Sequence, residues 1–257
     1  MKYLHEQSQA IFDGKGILIT GGSSGIGLAA AQFFAQLGGH VLVVGRRSEA
    51  ISEAARSHEQ IRGMVADVSR EENAAAVVKH ALDLWGRLDV LVNNAAMIAL
   101  ASLETVTSDQ ATSIFQTNVL GPTWLSKAAL GALTATRGAI VNISSTYGHR
   151  PTVQSAYYAA SKAALEHLTR CWALELASRG IRVNAVAPGP TETPILQRMG
   201  IAAPTIETIK QTESKSIPLG RRGVPEEVAS WIVSLADPAA TWITGQIITV
   251  DGGLELI

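Results

Sequence analysis

Cysteine is nearly absent from this 257-residue chain, with Cys171 standing alone. A single thiol excludes an internal disulfide framework and a cysteine-built zinc site, and leaves Cys171 to serve as a small buried hydrophobe. Charge is scarce as well: only 17% of residues carry one, and the two signs nearly cancel to a formal net of −1. With a pI of about 6.6, the chain has no basic footprint for nucleic acid or an anionic membrane, and neither is expected as a partner. No run approaches the ~18 apolar residues of a spanning helix. No apolar stretch follows the early lysine of MKYLHEQSQAIFDGKG, which predicts no secretory leader and a reduced, cytoplasmic setting. Linkers rich in Pro, Gly or Ser and internal repeats are also missing, so one domain is expected over residues 1–257.

What is present is apolar and regularly punctuated. Hydrophobic residues make up 47% of the chain and mean hydropathy is +0.18, enough for a substantial core. Short β-branched runs alternate with Ala/Leu-rich stretches. Strands are predicted at 17–19, 41–44, 64–66, 90–92, 139–143, 182–186 and 246–250. Helices are predicted over 26–37, 48–58, 71–85, 109–133 and 225–235, with another carrying Tyr158. Brief, continuously apolar strands separated by helices indicate a doubly wound α/β fold, a parallel sheet covered on both faces. Residues 189–216 interrupt this rhythm, and an insertion of that length is expected to form a substrate lid.

The first strand runs into Thr20-Gly21-Gly22-Ser23-Ser24-Gly25-Ile26-Gly27 and then the first helix. Glycines let backbone amides approach a pyrophosphate, and the helix N-terminus favours its negative charge. An ordinary tight turn would also use glycines, but the position after the first strand is the one a dinucleotide site requires.

A second constellation lies downstream. In Tyr158-Ala159-Ala160-Ser161-Lys162 the phenol and the ammonium sit one helical turn apart on a shared face. A free tyrosine titrates at ~10, so use as a base near neutrality needs roughly 4 kcal/mol of phenolate stabilisation, and a nearby cation supplies that directly. Ser145, thirteen positions before Tyr158, could give a carbonyl oxygen or alkoxide a neutral hydrogen bond. A Tyr-x-x-x-Lys pair on an exposed face would be no more than two solvated side chains. Tyr157 is a weaker candidate, because its residue four further on is Ser161.

Taken with Asn93-Asn94-Ala95-Ala96, Asn118 and Pro188-Gly189, these motifs resemble the short-chain dehydrogenase/reductase family in its ~250-residue form, from about residue 14 to residue 253. The resemblance implies that Tyr158 is the general acid/base of a hydride transfer. It makes Lys162 the residue that acidifies Tyr158 and holds the nicotinamide ribose, so both also belong to the coenzyme site. Ser145 would polarise the carbonyl, and Asn118 would complete the tetrad through a water-linked proton relay. Gly21, Ser23, Ser24, Gly25, Ile26 and Gly27 would cradle the dinucleotide. Asp67-Val68 would contact adenine, Asn94 and Ala95 would line the crevice, and Pro188, Gly189, Thr191 and Thr193 would face the carboxamide and phosphates. Ala96 departs from the family's usual glycine and would tighten the pocket floor. Tyr147, Met97, Ile98 and residues 195–199 are expected as apolar pocket walls.

Charge points to the coenzyme. Arg46 and Arg47 follow the second strand where an NAD site usually carries an acid for the ribose 2′-hydroxyl. Two guanidiniums attract a doubly charged 2′-phosphate, so NADP(H) is expected, with NAD(H) as the alternative. The expected reaction interconverts a ketone and a secondary alcohol on a small-molecule substrate. A 3-oxoacyl-carrier-protein reductase is one alternative, imine reduction another, and a non-catalytic dinucleotide-binding regulator a third from a different class. Family resemblance implies a homotetramer or homodimer. His149 could touch substrate or be a solvated loop residue, and Trp85, Trp124, Trp172, Trp231 and Trp242 are expected in core or interface packing.

Overall fold

A computed structural model of the chain describes residues 10–257; the reading of a leader-free start rests in part on residues 1–9, which lie outside them. Strand residues alternate strictly between the two sides of a sheet. In β1 (Gly16–Thr20), Ile17 and Ile19 join one apolar cluster while Leu18 joins another, and in β2 (His40–Gly45), Val41 and Val43 part in the same way from Leu42 and Val44. Both sides are therefore apolar and both must be covered. The remaining strands are β3 (Ile61–Val65), β4 (Val90–Asn93), β5 (Ala139–Ile143), β6 (Arg182–Pro188) and β7 (Ile247–Val250). Among the described residues they form one seven-stranded parallel sheet in the order β3-β2-β1-β4-β5-β6-β7.

On one face lie α1 (Gly25–Gln36) and α9 (Pro225–Ala236), packed on each other around Phe34, Ile232 and the β1–β2 valines and isoleucines. The other face carries α3 (Glu71–Trp85), α5 (Gly121–Thr136) and α6 (Ala156–Leu176), around Val77, Leu125, Leu133 and Leu176. Helix α2 (Ser48–Arg56) flanks β2 and β3, and α4 (Ser108–Phe115) leads toward α5. Burial of a Leu, Ile or Phe contributes ~1.5–3 kcal/mol each, so these two layers dominate the favourable side of folding.

Two elements differ from the sequence expectation. Strand β3 begins at Ile61 rather than Met64 and ends at Val65, with Ala66 outside it. It is an edge strand in which Arg62, Gly63 and Val65 are exposed, so the apolar run that marks a buried strand is missing. The helix expected over 109–133 is three pieces: α4, a π-helical turn at Gln116–Leu120, and α5 with Pro122 in its first turn. Proline has no amide to donate, which weakens the α ladder there, and the wider turn carries Asn118 inward, fully buried. Residues 189–216 hold two helices, α7 (Ile195–Arg198) and α8 (Ala203–Ser216).

Candidate active site

Strand order reverses between β1 and β4, and ligand crevices of open parallel sheets form beyond the strand ends at such a point. Here that point is built from Thr20 and Asn94. Thr20 Oγ1 accepts the amides of Asn94 and Ala95, both at 3.0 Å, and Asn94 Nδ2 donates to the carbonyls of Thr20 at 2.9 Å and Gly21 at 3.1 Å. Thr20 is a hub that the sequence does not advertise, because a threonine at a strand end carries no distinctive signal.

The glycine turn is drawn tight around this clamp. A Cβ on Gly27 would come within 2.4 Å of Asn94 Nδ2, and Gly25, at φ +52°, would place one 2.9 Å from Thr193 Cγ2. Ser24 starts α1 in extended conformation without spending its side chain on a cap bond. The first-turn amides thus open toward the crevice, and this cradle fits the pyrophosphate of a dinucleotide. Ser23, Gly21 and Ile26 belong to the same turn, and Pro188 closes β6 on the opposite wall. Gly189 donates its amide to Val250 at 3.0 Å and also supplies a carbonyl that accepts Thr191 Oγ1 at 2.9 Å.

At the far end of the crevice, Arg46 and Arg47 are exposed and make no ion pair among the described residues. Asp67 accepts the amide of Ser69 at 3.0 Å and its hydroxyl at 2.7 Å. Burial pushes its carboxyl up, but the two Ser69 bonds and the charges of Arg46 and Arg70 outweigh that and hold it below the usual range. The turn role of Asp67 is therefore explicit, and Val68 is buried beside it.

Ser145, Tyr158 and Lys162 are all buried. Ser145 Oγ accepts the amide of Tyr147 at 3.2 Å, and its hydroxyl reaches the Tyr158 phenol. Burial raises the Tyr158 phenol to about 12, against an opposing hydrogen bond from Ser145 and with a further push from Tyr147. Lys162 is lowered to about 8, again by burial, with Glu166 resisting. In the free protein burial is the largest influence on the phenol, and Lys162 is not among the groups that shift it. Lys162 Nζ donates to the Ile143 carbonyl at 2.7 Å and lies 5.7 Å from the centre of the Tyr158 ring, so desolvation of the phenol prevails.

Asn118 is fully committed through its side chain. Oδ1 accepts the Met97 amide at 2.8 Å, while Nδ2 donates to the Met97 carbonyl at 2.9 Å and to Ser161 Oγ at 3.0 Å. It ties the pocket wall to α6 one residue before Lys162. His149 is exposed on its loop, as a solvated residue would be, but its ring is held by two carboxylates: Nδ1 lies 3.2 Å from Glu166 and Nε2 2.5 Å from Glu255. Glu166, a buried carboxylate that also accepts Ser144 Oγ at 2.7 Å, was missed, although its place four residues beyond Lys162 puts it on the same helical face.

A phosphate cradle at the reversal of a parallel sheet, with a buried Ser–Tyr–Lys set beside it, defines a dinucleotide-linked oxidoreductase. A family model described as enoyl-(acyl carrier protein) reductase matches residues 21–255. The chain is 38% identical to a 3-oxoacyl-acyl-carrier-protein reductase of Thermotoga maritima, covering 95% of this chain and 99% of that one. It is also 38% identical to a probable 2,4-dienoyl-CoA reductase of Bacillus subtilis, over 93% of this chain and 96% of the relative. A solved Caenorhabditis elegans short-chain dehydrogenase/reductase of unknown function, determined with cofactor, superposes with a TM-score of 0.89 at 35% identity, covering 96% of this chain and 97% of that one. The chain belongs to the short-chain dehydrogenase/reductase family, whose members are oxidoreductases that use a nicotinamide dinucleotide. Among the described residues no helix is long and apolar enough to cross a membrane.

Proposed function

We propose that this chain is an NADP(H)-dependent oxidoreductase that interconverts a ketone and a secondary alcohol, with Tyr158 as the general acid/base. The observation that carries this reading is the burial of Ser145, Tyr158 and Lys162 together beside the glycine turn. Gly21, Ser23, Ser24, Gly25, Ile26 and Gly27 hold the coenzyme pyrophosphate, Arg46 and Arg47 the 2′-phosphate, and Asp67 and Val68 the adenine. Asn94, Ala95, Pro188, Gly189, Thr191 and Thr193 line its remaining length. When bound, the coenzyme supplies or accepts the hydride.

The protein's own work is to orient the carbonyl and move one proton. Ser145 turns its hydroxyl proton from the Tyr158 phenol to the carbonyl oxygen, while the Tyr147 amide keeps Oγ in position. Tyr158, held neutral by burial, gives its phenolic proton to the same oxygen as charge develops there. Lys162 presents a cation to that proton transfer and to the nicotinamide ribose. Because both protons of the Asn118 amide are used, a water-linked relay from it runs through its main-chain carbonyl. Residues 189–216 act as the lid, and the half-buried Ile195, Leu196 and Met199, with the half-buried Met97, Ile98 and Tyr147, supply the apolar walls of the substrate site.

The relative named for 3-oxoacyl-acyl-carrier-protein favours a 3-oxoacyl thioester as the ketone, and the one named for a CoA substrate shares only the thioester. We also assign a single-domain cytoplasmic protein assembled as a homotetramer or homodimer. Trp242, fully exposed, and Leu219, 72% exposed, are apolar surface that a second copy would cover. The reading is tested by NADPH consumption against a panel of ketones and 3-oxoacyl thioesters, with Tyr158→Phe beside the parent. Turnover by the parent that the variant loses supports it. Equal turnover by both removes Tyr158 as the acid. Tight NADPH binding with no turnover on any carbonyl favours a regulator.

A further inference from the structure

The phosphate turn is touched by a residue from the lid. Arg198, the last residue of α7, donates from Nη2 to Ser24 Oγ, a contact that spans 174 positions of sequence. Earlier in the same segment, Thr193 lies against Gly25 so closely that an added Cβ there would stand 2.9 Å from its methyl group. The other flank of the turn faces the end of β2, where a Cβ on Gly45 would sit 3.6 Å from Ser23 Oγ. Arg46 and Arg47 follow Gly45 directly. Three chain segments, 23–25, 45–47 and 193–198, therefore meet at one spot, and each of the two outer ones brings guanidinium groups to it.

Among the described residues Asp67 is the one acid whose charge Arg46 touches, and it is already engaged by Ser69; no acid pairs directly with these cations. None of Arg46, Arg47 and Arg198 forms an ion pair among the described residues. Arg198 is instead held below its ordinary pKa by partial burial and by the like charge of Arg47. Exposed guanidiniums normally spread apart, because like charges repel and nothing offsets the cost. Gathering them around a hydroxyl and a helix start makes a site for an anion carrying more than one charge.

We propose that Arg198 is a specificity residue for the coenzyme's 2′-phosphate, and that by reaching this phosphate from the lid it couples recognition of the coenzyme to closure over the substrate. The inference rests on the NADP(H) reading above and adds a consequence. A phosphate that neutralises Arg46 and Arg47 also removes the repulsion that Arg198 meets as it approaches. The lid is then drawn onto the crevice by the phosphorylated coenzyme and much less by its unphosphorylated counterpart.

The test uses the full chain and Arg198→Ala, with Arg198→Lys as a charge-keeping companion. Dissociation constants for NADPH and NADH are measured by titration calorimetry, and hydrogen exchange of residues 195–216 is followed with NADPH, NADH or adenosine 2′,5′-bisphosphate. Loss of one guanidinium–phosphate contact should weaken NADPH by about ten- to a hundredfold and leave NADH unchanged. In the parent, NADPH and the bisphosphate should slow exchange across the lid more than NADH does, and Arg198→Ala should abolish that difference. Arg198→Lys should retain part of both effects.

Equal weakening of NADPH and NADH would overturn the proposal, since Arg198 would then serve the shared pyrophosphate. Unchanged affinities in the variant would overturn it as well. A parent that binds both coenzymes equally overturns the NADP(H) reading together with the proposal. If instead the parent prefers NADPH and Arg46→Asp destroys that preference while Arg198→Ala spares it, the lid assignment alone fails.

Discussion

Lys162 Nζ donates to the Ile143 carbonyl at 2.7 Å and stands 5.7 Å from the centre of the Tyr158 ring. The ammonium is thereby anchored to the end of β5 rather than to the phenol. With Tyr158 raised to about 12 and Lys162 lowered to about 8, both by burial, the free protein holds its phenol protonated across the neutral range. That is the state a carbonyl reduction needs, and it places the pH sensitivity on the lysine. For reduction, kcat/KM, which reports groups of the free enzyme, should therefore be flat near neutrality. It should fall with a one-proton limb near pH 8 as Lys162 loses its charge. Tyr158→Phe should cut the rate by about a hundred- to ten-thousandfold, the usual worth of a positioned acid, with coenzyme affinity retained. Initial rates across pH 6–10, within roughly two units either side of that limb, check both points. A limb that tracks a group near pH 6 instead would assign the titration elsewhere.

The same burial has a signature in stability. A solvated lysine titrates at 10.5 and Lys162 in the fold at about 8, so the unfolded chain binds more protons between those values. Stability then rises with pH through that window. Tyr158 has the opposite sign: its contribution is complete below pH 10 and is lost between pH 10 and about 12. Urea unfolding between about pH 8 and 10 isolates the lysine. Relative to Lys162→Met, which has no charge to lose, the parent should gain about 2 kcal/mol over that span. A constant difference between the two proteins would mean that Lys162 is not charged and desolvated in the fold.

Much of the fold and the site is legible in the amino-acid order alone, and the parts that are not share a cause. The unbroken apolar runs Ile17-Leu18-Ile19 and Val41 to Val44 mark the central strands, because these strands are buried on both faces. Local spacing places Tyr158 and Lys162 on one helical face and the glycine turn at the head of α1. The illegible features depend on partners distant in sequence. Edge strand β3 has few buried side chains to mark it. The π turn at Asn118 is stabilised from Met97 and Ser161, 21 and 43 positions away. Lys162 has the right spacing from Tyr158, yet whether desolvation or a cation governs the phenol depends on how β5 receives the ammonium, and no local pattern encodes that.

Glu166 shows how a residue outside the motif can set its chemistry. Its buried carboxylate accepts Ser144 Oγ at 2.7 Å and faces His149 Nδ1 at 3.2 Å, and its charge resists the lowering of Lys162. Removing that charge while keeping the shape should make Lys162 easier to deprotonate. Glu166→Gln is therefore expected to move the falling limb of the reduction profile to lower pH. His149→Ala leaves the Glu166 charge in place and should not shift the limb downward. If both variants lower activity equally with the limb unmoved, Glu166 is only a strut for the 144–149 loop.

Coenzyme choice can be reversed at Arg46. This guanidinium is exposed at the end of β2, and it faces Asp67 closely enough to help hold that carboxyl below its usual range. In Arg46→Asp an attraction for the 2′-phosphate becomes a repulsion, while a free ribose 2′-hydroxyl gains an acceptor. The kcat/KM ratio of NADPH to NADH should fall by at least about a hundredfold, since the attraction lost and the repulsion gained each amount to roughly one or two kcal/mol near a protein surface. The absolute kcat/KM with NADH should rise, which separates altered recognition from general damage. The replacement also puts a second acid near Asp67, so its carboxyl should titrate higher than in the parent, a change that NMR titration of the side chain would resolve. A ratio left unchanged would mean that Arg46 is a solvated surface group and that the coenzyme is chosen elsewhere in the crevice.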